Sequence, residues 1–333
     1  MLTPPEDLSP DEVSSSLRTH WGLLGAEVTY TPLGHGSHNW TVTTAGGSRW
    51  FVKAYRSGPD SDFFRTTGQT AALLREAGLD FVLGPVRDQH GEAVTQVSPN
   101  WQLAVFPFVE GRNPDFSSGE RALVADVLGR LHAFSPVPAV AERWEPGWFQ
   151  PELKQVLADE LQRPWTEGPY GERARSLFVD ARSGIERLFR LSDQLVARLA
   201  DSDEPCVITH GEPHAGNTML DHSGKMYLID CDAVMLAPRE RDLRVLLYAS
   251  HRRPRGLDNT EVLAAYRRAA GPIEPRPFAL ELFRVEWHLI EIARYAQLFS
   301  GRHGSTADVQ ARWRALNAYL PVSQNWPEFA SGR

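Results

Sequence analysis

Along the first 110 residues, polar and apolar side chains recur at two spacings, and the change of spacing marks the expected helices and strands. Ser9–Glu12 provides an N-cap serine, a first-turn proline and a capping-box glutamate, so a helix should begin there and end near residues 20–22. Short alternating segments bounded by glycine-rich turns then predict a β-sheet. The predicted strands span residues 26–33, 40–44, 49–55, 93–97 and 103–109, and one helix at 62–77 lies between them.

Beyond a break at residues 110–114, the apolar side chains follow a helical spacing. Ser117 and Glu120 have the separation of a second capping box, and apolar residues recur every three or four positions after them. Further helices are expected near residues 151–161, 171–200, 259–270 and 276–300, with a short β segment at 206–229. This order predicts an α+β fold with a small β-rich N-terminal lobe over residues 1–110 and a larger, mostly helical C-terminal lobe over 111–333.

The composition narrows the class of protein. Of the 333 residues, 42% are hydrophobic and 23% are charged, as in an ordinary globular protein. The net charge of −7 disfavours a nucleic-acid partner. The sequence has no run of about 18 apolar residues, so we expect no membrane span. Two cysteines do not make a disulfide framework, and the first ten residues lack the basic and apolar regions of a signal peptide. We therefore expect a cytoplasmic protein, as a monomer or weak dimer, with no nucleic-acid or membrane partner.

The most informative segment follows the predicted helices of the middle of the chain. It reads as a strand, a loop that carries Glu212, a second strand that begins after Asn217, a turn at 221–224 and a returning strand before Asp230. Asn217 and Asp230 should therefore lie at the same end of one hairpin, beside the Glu212 loop. Carboxylate and amide oxygens are the hard ligands that Mg²⁺ prefers, together with waters and substrate phosphates.

Zinc is the alternative metal for this segment. Cys206 and Cys231 flank His210 and His214 in this predicted strand–loop–strand segment, and zinc takes such nitrogen and sulfur ligands. The spacing matches no common zinc pattern, so we interpret His210 as a hydrogen-bonded scaffold residue of the loop.

Lysine is rare in this chain, and one lysine lies inside a predicted strand. The protein has 35 basic residues, and its three lysines are Lys53, Lys154 and Lys225. Lys53 stands in an apolar strand that follows the glycine-rich loop Gly34–Asn39. Such a lysine can bind a phosphate, or it can face water from an edge strand. The loop can likewise be an ordinary hairpin turn, with its two histidines exposed to solvent.

Together these motifs resemble the phosphotransfer site of kinases, and more narrowly the aminoglycoside phosphotransferase family. The family loop normally reads His-Gly-Asp-x-x-x-x-Asn, and this chain has His210-Gly211-Glu212 with Asn217 and, 13 residues later, Asp230. The runs His214–Asn217 and Met235–Leu243 look especially like the spectinomycin phosphotransferase branch. The resemblance extends in order from about residue 25 to residue 300.

The resemblance implies a protein-kinase-like fold, ATP and Mg²⁺ as cofactors, and phosphoryl transfer to a hydroxyl group of a small molecule. Glu212 would occupy the catalytic position and orient or deprotonate the acceptor hydroxyl. Asn217 and Asp230 would hold Mg²⁺ and complete the catalytic set. Asp242 would brace the catalytic loop. The nucleotide-binding positions that the resemblance implies are Lys53 at the α- and β-phosphates, Gly34, Gly36 and Ser37 in the loop over the phosphates, and Phe106, Phe108 and Val109 beside the adenine.

The acceptor that the resemblance favours is an aminocyclitol or aminoglycoside-type antibiotic. Glu286, Trp287 and Glu291 lie on one predicted helix and are candidates for binding a cationic or sugar-like substrate. The alternative for this helix is an amphipathic core element with a polar outer face. Other acceptors stay open, such as a nucleoside antibiotic, a sugar or an amino alcohol, and so does a kinase-like binding protein of low activity.

The chain departs from the family pattern in two places. Glu212 replaces the usual aspartate, and its extra methylene moves the carboxylate by about one carbon–carbon bond. The helix after Lys53 lacks the glutamate that pairs with the strand lysine in kinases, and it offers Asp62 or, less favourably by register, Glu76. Asp232 is either a second metal contact or a solvated neighbour. The charged run at residues 239–244 is expected to be solvated and ion-paired.

Overall fold

The helices and strands of this protein are divided between two units. The computed structural model describes residues 1–34, 36–202, 205–248, 258–322 and 326. Described residues 1–144, 205–248 and 258–274 form the first unit, and 145–202, 275–322 and 326 form the second. The predicted lobe boundary near residue 110 divides the chain differently, and it stays a prediction. No helix in the described part of the chain is long and apolar enough to cross a membrane.

A five-stranded antiparallel sheet dominates the first part of the first unit. Its strand order is β1-β2-β3-β5-β4. The strands and the two helices packed with them are α1 (Pro10–Trp21), β1 (Glu27–Thr31), β2 (His38–Thr43), β3 (Arg49–Arg56), α2 (Ser61–Glu76), β4 (Thr95–Ser98) and β5 (Trp101–Pro107). All seven predicted elements of this region are confirmed, with ends that differ by a few residues.

The first helix begins and ends where its sequence predicts. Ser9 Oγ accepts a hydrogen bond from the Glu12 N–H at 3.3 Å, and Glu12 Oε2 accepts one from the Ser9 N–H at 2.7 Å. This reciprocal pair is the capping box. Gly22 ends the helix at φ 68°, a left-handed conformation that glycine adopts without steric cost. Val13 and Leu17 are fully buried in the apolar core between the helix and the sheet.

Alternation along the central strand β3 decides which side chains face the site. Val52 and Ala54 belong to the core beneath α1. Successive residues of a strand point to opposite faces, so Lys53 and Tyr55 lie on the other face. There, Tyr55 and Phe106 share a small core with Phe64 of α2. The antiparallel register therefore places Lys53 in the middle of the sheet on the face that α2 covers.

The rest of the first unit combines short strands with three helices. These elements are β6 (Gly111–Arg112), α3 (Ser118–His132), β7 (Val207–Thr209), β8 (Thr218–Asp221), β9 (Met226–Leu228), β10 (Met235–Ala237), α6 (Glu240–Leu247) and α7 (Thr260–Ala270). β6, β8 and β9 form one antiparallel sheet, and β7 pairs with β10. The predicted break at residues 110–114 therefore contains a short strand that pairs with the hairpin.

The second predicted capping box is wrong. Ser117 is the N-cap residue of α3, but its side chain makes no capping hydrogen bond. Glu120 instead accepts from the Asp115 N–H at 2.5 Å and pairs with Arg112. The carboxylate is used by the preceding turn, so it does not reach back to the N-cap N–H.

Helices α3 and α7 touch at a glycine. A Cβ atom on Gly129 would lie 2.8 Å from the Tyr266 carbonyl oxygen and 2.7 Å from the Ala269 Cβ. Gly129→Ala should therefore lower the free energy of unfolding by about 1–3 kcal/mol, because overpacking forces the helices apart. Gly119→Ala is the control, since it lies in the same helix with open space around it and should gain up to about 1 kcal/mol of helix propensity. Thermal unfolding compares the two variants, and equal melting temperatures would contradict the prediction.

The second unit is helical. Its helices are α4 (Gln150–Ala158), α5 (Gly171–Ala200), α8 (Pro277–Ser300) and α9 (Ala307–Tyr319). Phe178 and Ile185 of α5 pack with Leu289 and Phe299 of α8 in one apolar core. The first three helices confirm their predictions, whereas α9 has no counterpart among the predicted elements.

Candidate functional site

The hairpin β8–β9 brings Glu212, Asn217 and Asp230 together as its sequence predicts. The Ile229 N–H donates to the Asn217 carbonyl oxygen at 3.0 Å, which places Asp230 beside the start of β8. Asn217 Nδ2 donates to the Glu212 carbonyl oxygen at 3.1 Å. The amide residue Asn217 and the acidic residues Asp230 and Glu212 therefore lie at the same end of the hairpin.

Two aspartates in the segment after β9 form ion pairs with Lys53 of β3. Its Nζ forms ion pairs with Asp230 and, at 2.9 Å, with Asp232 Oδ2. The Tyr55 hydroxyl donates to the other oxygen of Asp232 at 2.9 Å. Each oxygen of Asp232 is therefore engaged by one side chain of β3, and its side chain is 28% exposed. Metal contact by Asp232 stays a prediction.

The lysine partners expected on the following helix are wrong. Asp62 pairs with Arg65, and Glu76 pairs with Arg87 at 2.6 Å. The residues of α2 that line the small cavity beside Asp232 are Phe64, Gly68 and Ala71. These residues are apolar or small, so α2 brings no carboxylate to this cavity.

Burial and the ion pairs together shift the pKa values of all three groups. Burial alone would lower the pKa of Lys53, but Asp230 and Asp232 outweigh burial and raise it well above its usual value. Burial would raise the pKa of Asp230, yet Lys53 holds it below its ordinary range. Burial is the main influence on Asp232 and raises its pKa to about 6, helped by the charge of Asp230. Lys53 therefore remains a cation at neutral pH.

Asp242 fastens the loop that carries Glu212. One oxygen of its fully buried carboxylate accepts from the His210 N–H at 2.7 Å, and the other accepts from the Gly211 N–H at 2.6 Å. His132 Nε2 donates to the same carboxylate at 3.0 Å. This bracing agrees with the position that the family resemblance gives to Asp242. The run at 239–244 is thus not solvated as predicted, because most of it is buried in α6.

His210 is a scaffold residue, as interpreted from the sequence. Its Nε2 donates to the Ile229 carbonyl oxygen at 2.8 Å, and its Nδ1 accepts from the Glu212 N–H at 3.3 Å. This pattern requires the neutral ring, and burial lowers the pKa of His210. The Glu212 backbone is therefore fixed from both sides, through its N–H by His210 and through its carbonyl oxygen by Asn217.

Gly211 must be glycine. Its φ of 97° is left-handed, and a Cβ there would lie 2.6 Å from the Arg241 guanidinium. Arg244 donates to the Gly211 carbonyl oxygen at 3.0 Å. The sequence predicted both arginines only as part of a solvated, ion-paired run, and not as supports of this loop. Their spacing along α6 was the available signal, since residues three apart on a helix share a face.

The glycine-rich loop is held by its own polar side chains. The buried Ser37 hydroxyl donates to Asn39 Oδ1 at 2.9 Å, and Asn39 Nδ2 donates to the Leu33 carbonyl oxygen at 2.7 Å. Gly34 has φ 78°, and a Cβ on Gly36 would meet no atom of the described residues beyond its chain neighbours within 4 Å. His35 lies outside the described residues. Phosphate contact by this loop stays a prediction, for which the open space around Gly36 leaves room.

The predicted adenine positions lie at the end of β5 and just beyond it. Phe106 is buried in the strand. The Arg49 guanidinium lies over the ring of Phe108, with its carbon Cζ 3.8 Å from the ring centroid. The Phe108 N–H donates to the Arg49 carbonyl oxygen at 3.4 Å. Val109 follows the strand end. Adenine binding by these three residues stays a prediction.

The predicted acceptor residues lie in the second unit, on α8. Glu286 is 2% exposed and accepts from the Gly147 N–H at 3.2 Å. Trp287 is half-buried. Glu291 pairs with Arg294 at 3.0 Å and accepts from the Tyr295 hydroxyl at 3.1 Å. Substrate binding by these residues stays a prediction.

The residues at the hairpin end fit a magnesium ion. Asn217 uses its amide nitrogen toward Glu212, so its Oδ1 is the atom left to bind a metal. Asp230 contributes carboxylate oxygens from a left-handed backbone at φ 61°. Within the described ranges, no group of three or more His, Cys, Asp or Glu residues is arranged to hold a metal alone. A site of two oxygen ligands completed by waters and phosphates is the usual arrangement for Mg²⁺.

Comparisons with known proteins identify the family of this chain. A family model described as the phosphotransferase enzyme family matches residues 29–282, most of the chain, so the protein belongs to that family. Protein StrN of Streptomyces griseus is 28% identical over 295 residues, which cover 80% of this chain and 83% of that protein. The family resemblance and the α+β, protein-kinase-like fold predicted from the sequence are thereby confirmed. The chain is therefore a phosphotransferase.

Solved structures with the same fold are more distant in sequence. A spectinomycin phosphotransferase in complex with ADP and spectinomycin has a TM-score of 0.70 at 18% identity, with 94% of each chain covered. A microcompartment-associated aminopropanol kinase has a TM-score of 0.63 at 16% identity, with 93% of this chain and 94% of that chain covered.

Proposed function

We propose that this protein transfers the γ-phosphoryl group of ATP, in the presence of Mg²⁺, to a hydroxyl group of an aminocyclitol or aminoglycoside-type antibiotic. The observation that carries the proposal is the juxtaposition of Lys53, Asp230 and the Glu212 loop. These residues supply a fixed cation, a metal-type carboxylate and a second carboxylate within one unit. Phosphoryl transfer requires mainly positioning and charge neutralisation, which such a set provides.

Each residue of the site has a distinct part in the proposed reaction. Lys53 neutralises charge on the α- and β-phosphates. Asn217 and Asp230 hold Mg²⁺, which when bound supplies charge neutralisation at the transferred group. Glu212 accepts a hydrogen bond from the acceptor hydroxyl, aligns its oxygen for in-line attack and takes its proton as the new O–P bond forms. The bond between the γ-phosphorus and the oxygen that bridges it to the β-phosphate breaks in the same step, and ADP leaves. Asp242 and His210 keep the Glu212 backbone in place during these steps.

The proposed acceptor is a cationic small molecule. The net charge of −7 suits such a substrate, and the spectinomycin phosphotransferase neighbour was solved with an aminocyclitol. Glu286, Trp287 and Glu291 are proposed to contact the acceptor. Neighbours that are kinases of aminopropanol and choline make an amino alcohol the second candidate.

Glu212 provides a prediction of its own. Glu212→Gln should lower kcat by about 10²- to 10⁴-fold, the usual contribution of a general base. Glu212→Asp restores the residue usual in the family but retracts the carboxylate in a loop built for glutamate. A displacement of about 1 Å costs about 10²-fold, so this variant should also lose activity. Steady-state kinetics tests both beside the control Glu186→Gln, whose half-buried side chain lies in the second unit. Unchanged kcat in Glu212→Gln would remove Glu212 from the mechanism.

Mass spectrometry of the acceptor tests the proposed function. Purified protein is incubated with Mg²⁺-ATP and a panel of aminocyclitols, aminoglycosides, nucleoside antibiotics and amino alcohols. We expect the mass of one phosphate to be added to an aminocyclitol or aminoglycoside, and the gain to be lost in Glu212→Gln. Phosphorylation of an amino alcohol alone would keep the kinase and overturn the antibiotic acceptor. Nucleotide binding without any transfer or hydrolysis would favour a binding protein of low activity.

A further inference from the structure

The lysine of the phosphotransfer site lacks the expected helical partner, and the residues around it indicate what replaces that partner. Phe64, Gly68 and Ala71 line the cavity beside Asp232 from α2. A larger residue does not fit at Gly68, since a Cβ there would lie 2.6 Å from the Val94 side chain. The two acids of α2 named above as candidates are occupied by arginines. The helix is therefore packed too closely at this point to supply a carboxylate to Lys53.

Asp232 has the contacts that such a partner needs. One of its oxygens pairs with Lys53 Nζ at 2.9 Å, and the other accepts from the Tyr55 hydroxyl at 2.9 Å. The Tyr55 ring is itself fixed, because it stacks on Phe64 with centroids 4.6 Å apart and an interplanar angle of 19°. The positions of both Asp232 oxygens and of the Tyr55 hydroxyl are thus fixed by contacts with other side chains.

The two carboxylates that hold Lys53 differ in their surroundings. The Asp230 side chain is 41% exposed and that of Asp232 is 28% exposed, and only Asp232 has the additional bond from Tyr55. A metal ion that binds Asp230 competes with Lys53 for its oxygens. Asp232 keeps its contact with the lysine in that state, because neither of its bonds involves Asp230.

We propose that Asp232, oriented by Tyr55 on the Phe64 ring, is the positioning residue that anchors Lys53 when Asp230 is engaged by Mg²⁺. This inference rests on the proposed function, since it assigns Lys53 to the phosphates and Asp230 to the metal. In this chain the lysine's anchor therefore comes from the segment after β9, two residues from the metal ligand, and the contact with α2 is aromatic stacking. Lysine and metal ligand are consequently positioned by the same short segment.

Kinetics and labelling of Asp232→Asn, Tyr55→Phe and the control Glu76→Gln test the inference. Lys53 contacts phosphates in both the ground state and the transition state, so its misplacement should raise KM for ATP more than it lowers kcat. We expect KM to rise about 10- to 100-fold in Asp232→Asn, the size of one charge-assisted hydrogen bond. Tyr55→Phe should raise KM by a few-fold, because it removes only the hydroxyl that orients the carboxylate. Glu76→Gln should match the wild type.

Lysine labelling provides a readout that needs no turnover. The chain has three lysines, so acetylation at fixed pH followed by mass spectrometry measures Lys53 against Lys154 and Lys225 as internal references. Without nucleotide, Lys53 should be acetylated several-fold faster in Asp232→Asn than in the wild type. Circular dichroism establishes that each variant is folded, and Tyr55→Phe carries the test if Asp232→Asn does not fold.

The outcomes separate this inference from the proposed function. Unchanged KM and unchanged Lys53 labelling in folded Asp232→Asn and Tyr55→Phe would overturn the inference while transfer by the wild type still supports the function. A KM increase in Glu76→Gln equal to that in Asp232→Asn would overturn it as well. If the wild type turns over no ATP, the proposed function fails. In that case faster Lys53 labelling in Asp232→Asn still supports Asp232 as the lysine's anchor, and unchanged labelling rejects it.

Discussion

Asp230→Asn should lower kcat for phosphoryl transfer at least about 10³-fold while the protein remains folded. The substitution weakens the proposed metal site, and loss of the charge stabilisation supplied there removes several kcal/mol at 1.36 kcal/mol per tenfold in rate. Folding should persist because Lys53 keeps its ion pair with Asp232. The side chain is 41% exposed, so the new amide remains partly hydrated.

Asp80→Asn is the matched control for this prediction. Asp80 also pairs with a lysine of the first unit, Lys225, but its side chain is 70% exposed and it lies outside the proposed site. Transfer rates are measured at several Mg²⁺ concentrations, and circular dichroism monitors folding. The variant should require more Mg²⁺ for its residual activity. A loss of activity that is equal in Asp230→Asn and Asp80→Asn, or a rate unaffected by Asp230→Asn, would rule out the metal-binding assignment.

The Asp230 and Asp232 variants are expected to fail in different ways. Replacing Asp230 should act mainly on kcat, because the metal stabilises charge that develops in the transition state. Replacing Asp232 should act mainly on KM for ATP, because it positions a group that binds phosphate throughout the reaction. Asp230 and Asp232, which both pair with Lys53, should therefore have separable kinetic effects. The double variant should show both the lower kcat and the higher KM.

Local sequence patterns were sufficient to predict most elements of the fold. The capping box at Ser9 and the alternation around Lys53 depend on residues within one or two turns or along one strand, so their effect is visible in the sequence. Hairpin geometry likewise predicted that Asn217 and Asp230 lie together. These features require no knowledge of distant parts of the chain.

The partner of Lys53 could not be predicted in the same way. Lys53 and Asp230 are 177 residues apart, and their contact depends on how the hairpin docks against the sheet. Tyr55 gave the available hint, since it lies two residues from Lys53 and hence on the same face of β3. The kinase pattern predicts an acidic partner on α2, whereas in this chain Phe64 and Gly68 of α2 line the cavity beside Asp232.

Helix α6 shows the converse limitation. Its charged sequence at residues 239–244 predicted a solvated segment, because arginine, aspartate and glutamate are mostly exposed in proteins. In the structure, Asp242 and Arg244 are buried because the loop around Gly211 offers them backbone N–H and C=O partners. The charged residues of this run therefore support the Glu212 loop and are not part of a solvated surface.

Asp242→Asn should be the most destabilising single substitution in this support. The fully buried carboxylate accepts from two backbone N–H groups and from His132. An amide turns one acceptor into a donor that faces another N–H, and breaking a buried charged network costs about 3–5 kcal/mol. Chemical denaturation should show that loss, and kcat should fall because the Glu212 backbone is released. His132→Gln keeps an N–H donor at the end of its side chain and should therefore show a smaller loss of both.

The same carboxylate predicts a dependence of stability on acid. Its bonds with His132 and the neighbouring positive charges outweigh burial and lower the pKa of Asp242 from 3.8 to about 2. A group whose pKa is lower in the folded state stabilises the fold above its unfolded pKa and loses that effect as pH falls through the folded pKa. The gap corresponds to roughly 2.5 kcal/mol, lost between about pH 4 and pH 2. Denaturation of Asp242→Asn should lack this part of the acid dependence, whereas the control Asp126→Asn, at a half-buried carboxylate of α3, should keep it. Identical acid profiles for Asp242→Asn and the wild type would mean that the Glu212 loop is held by groups other than Asp242.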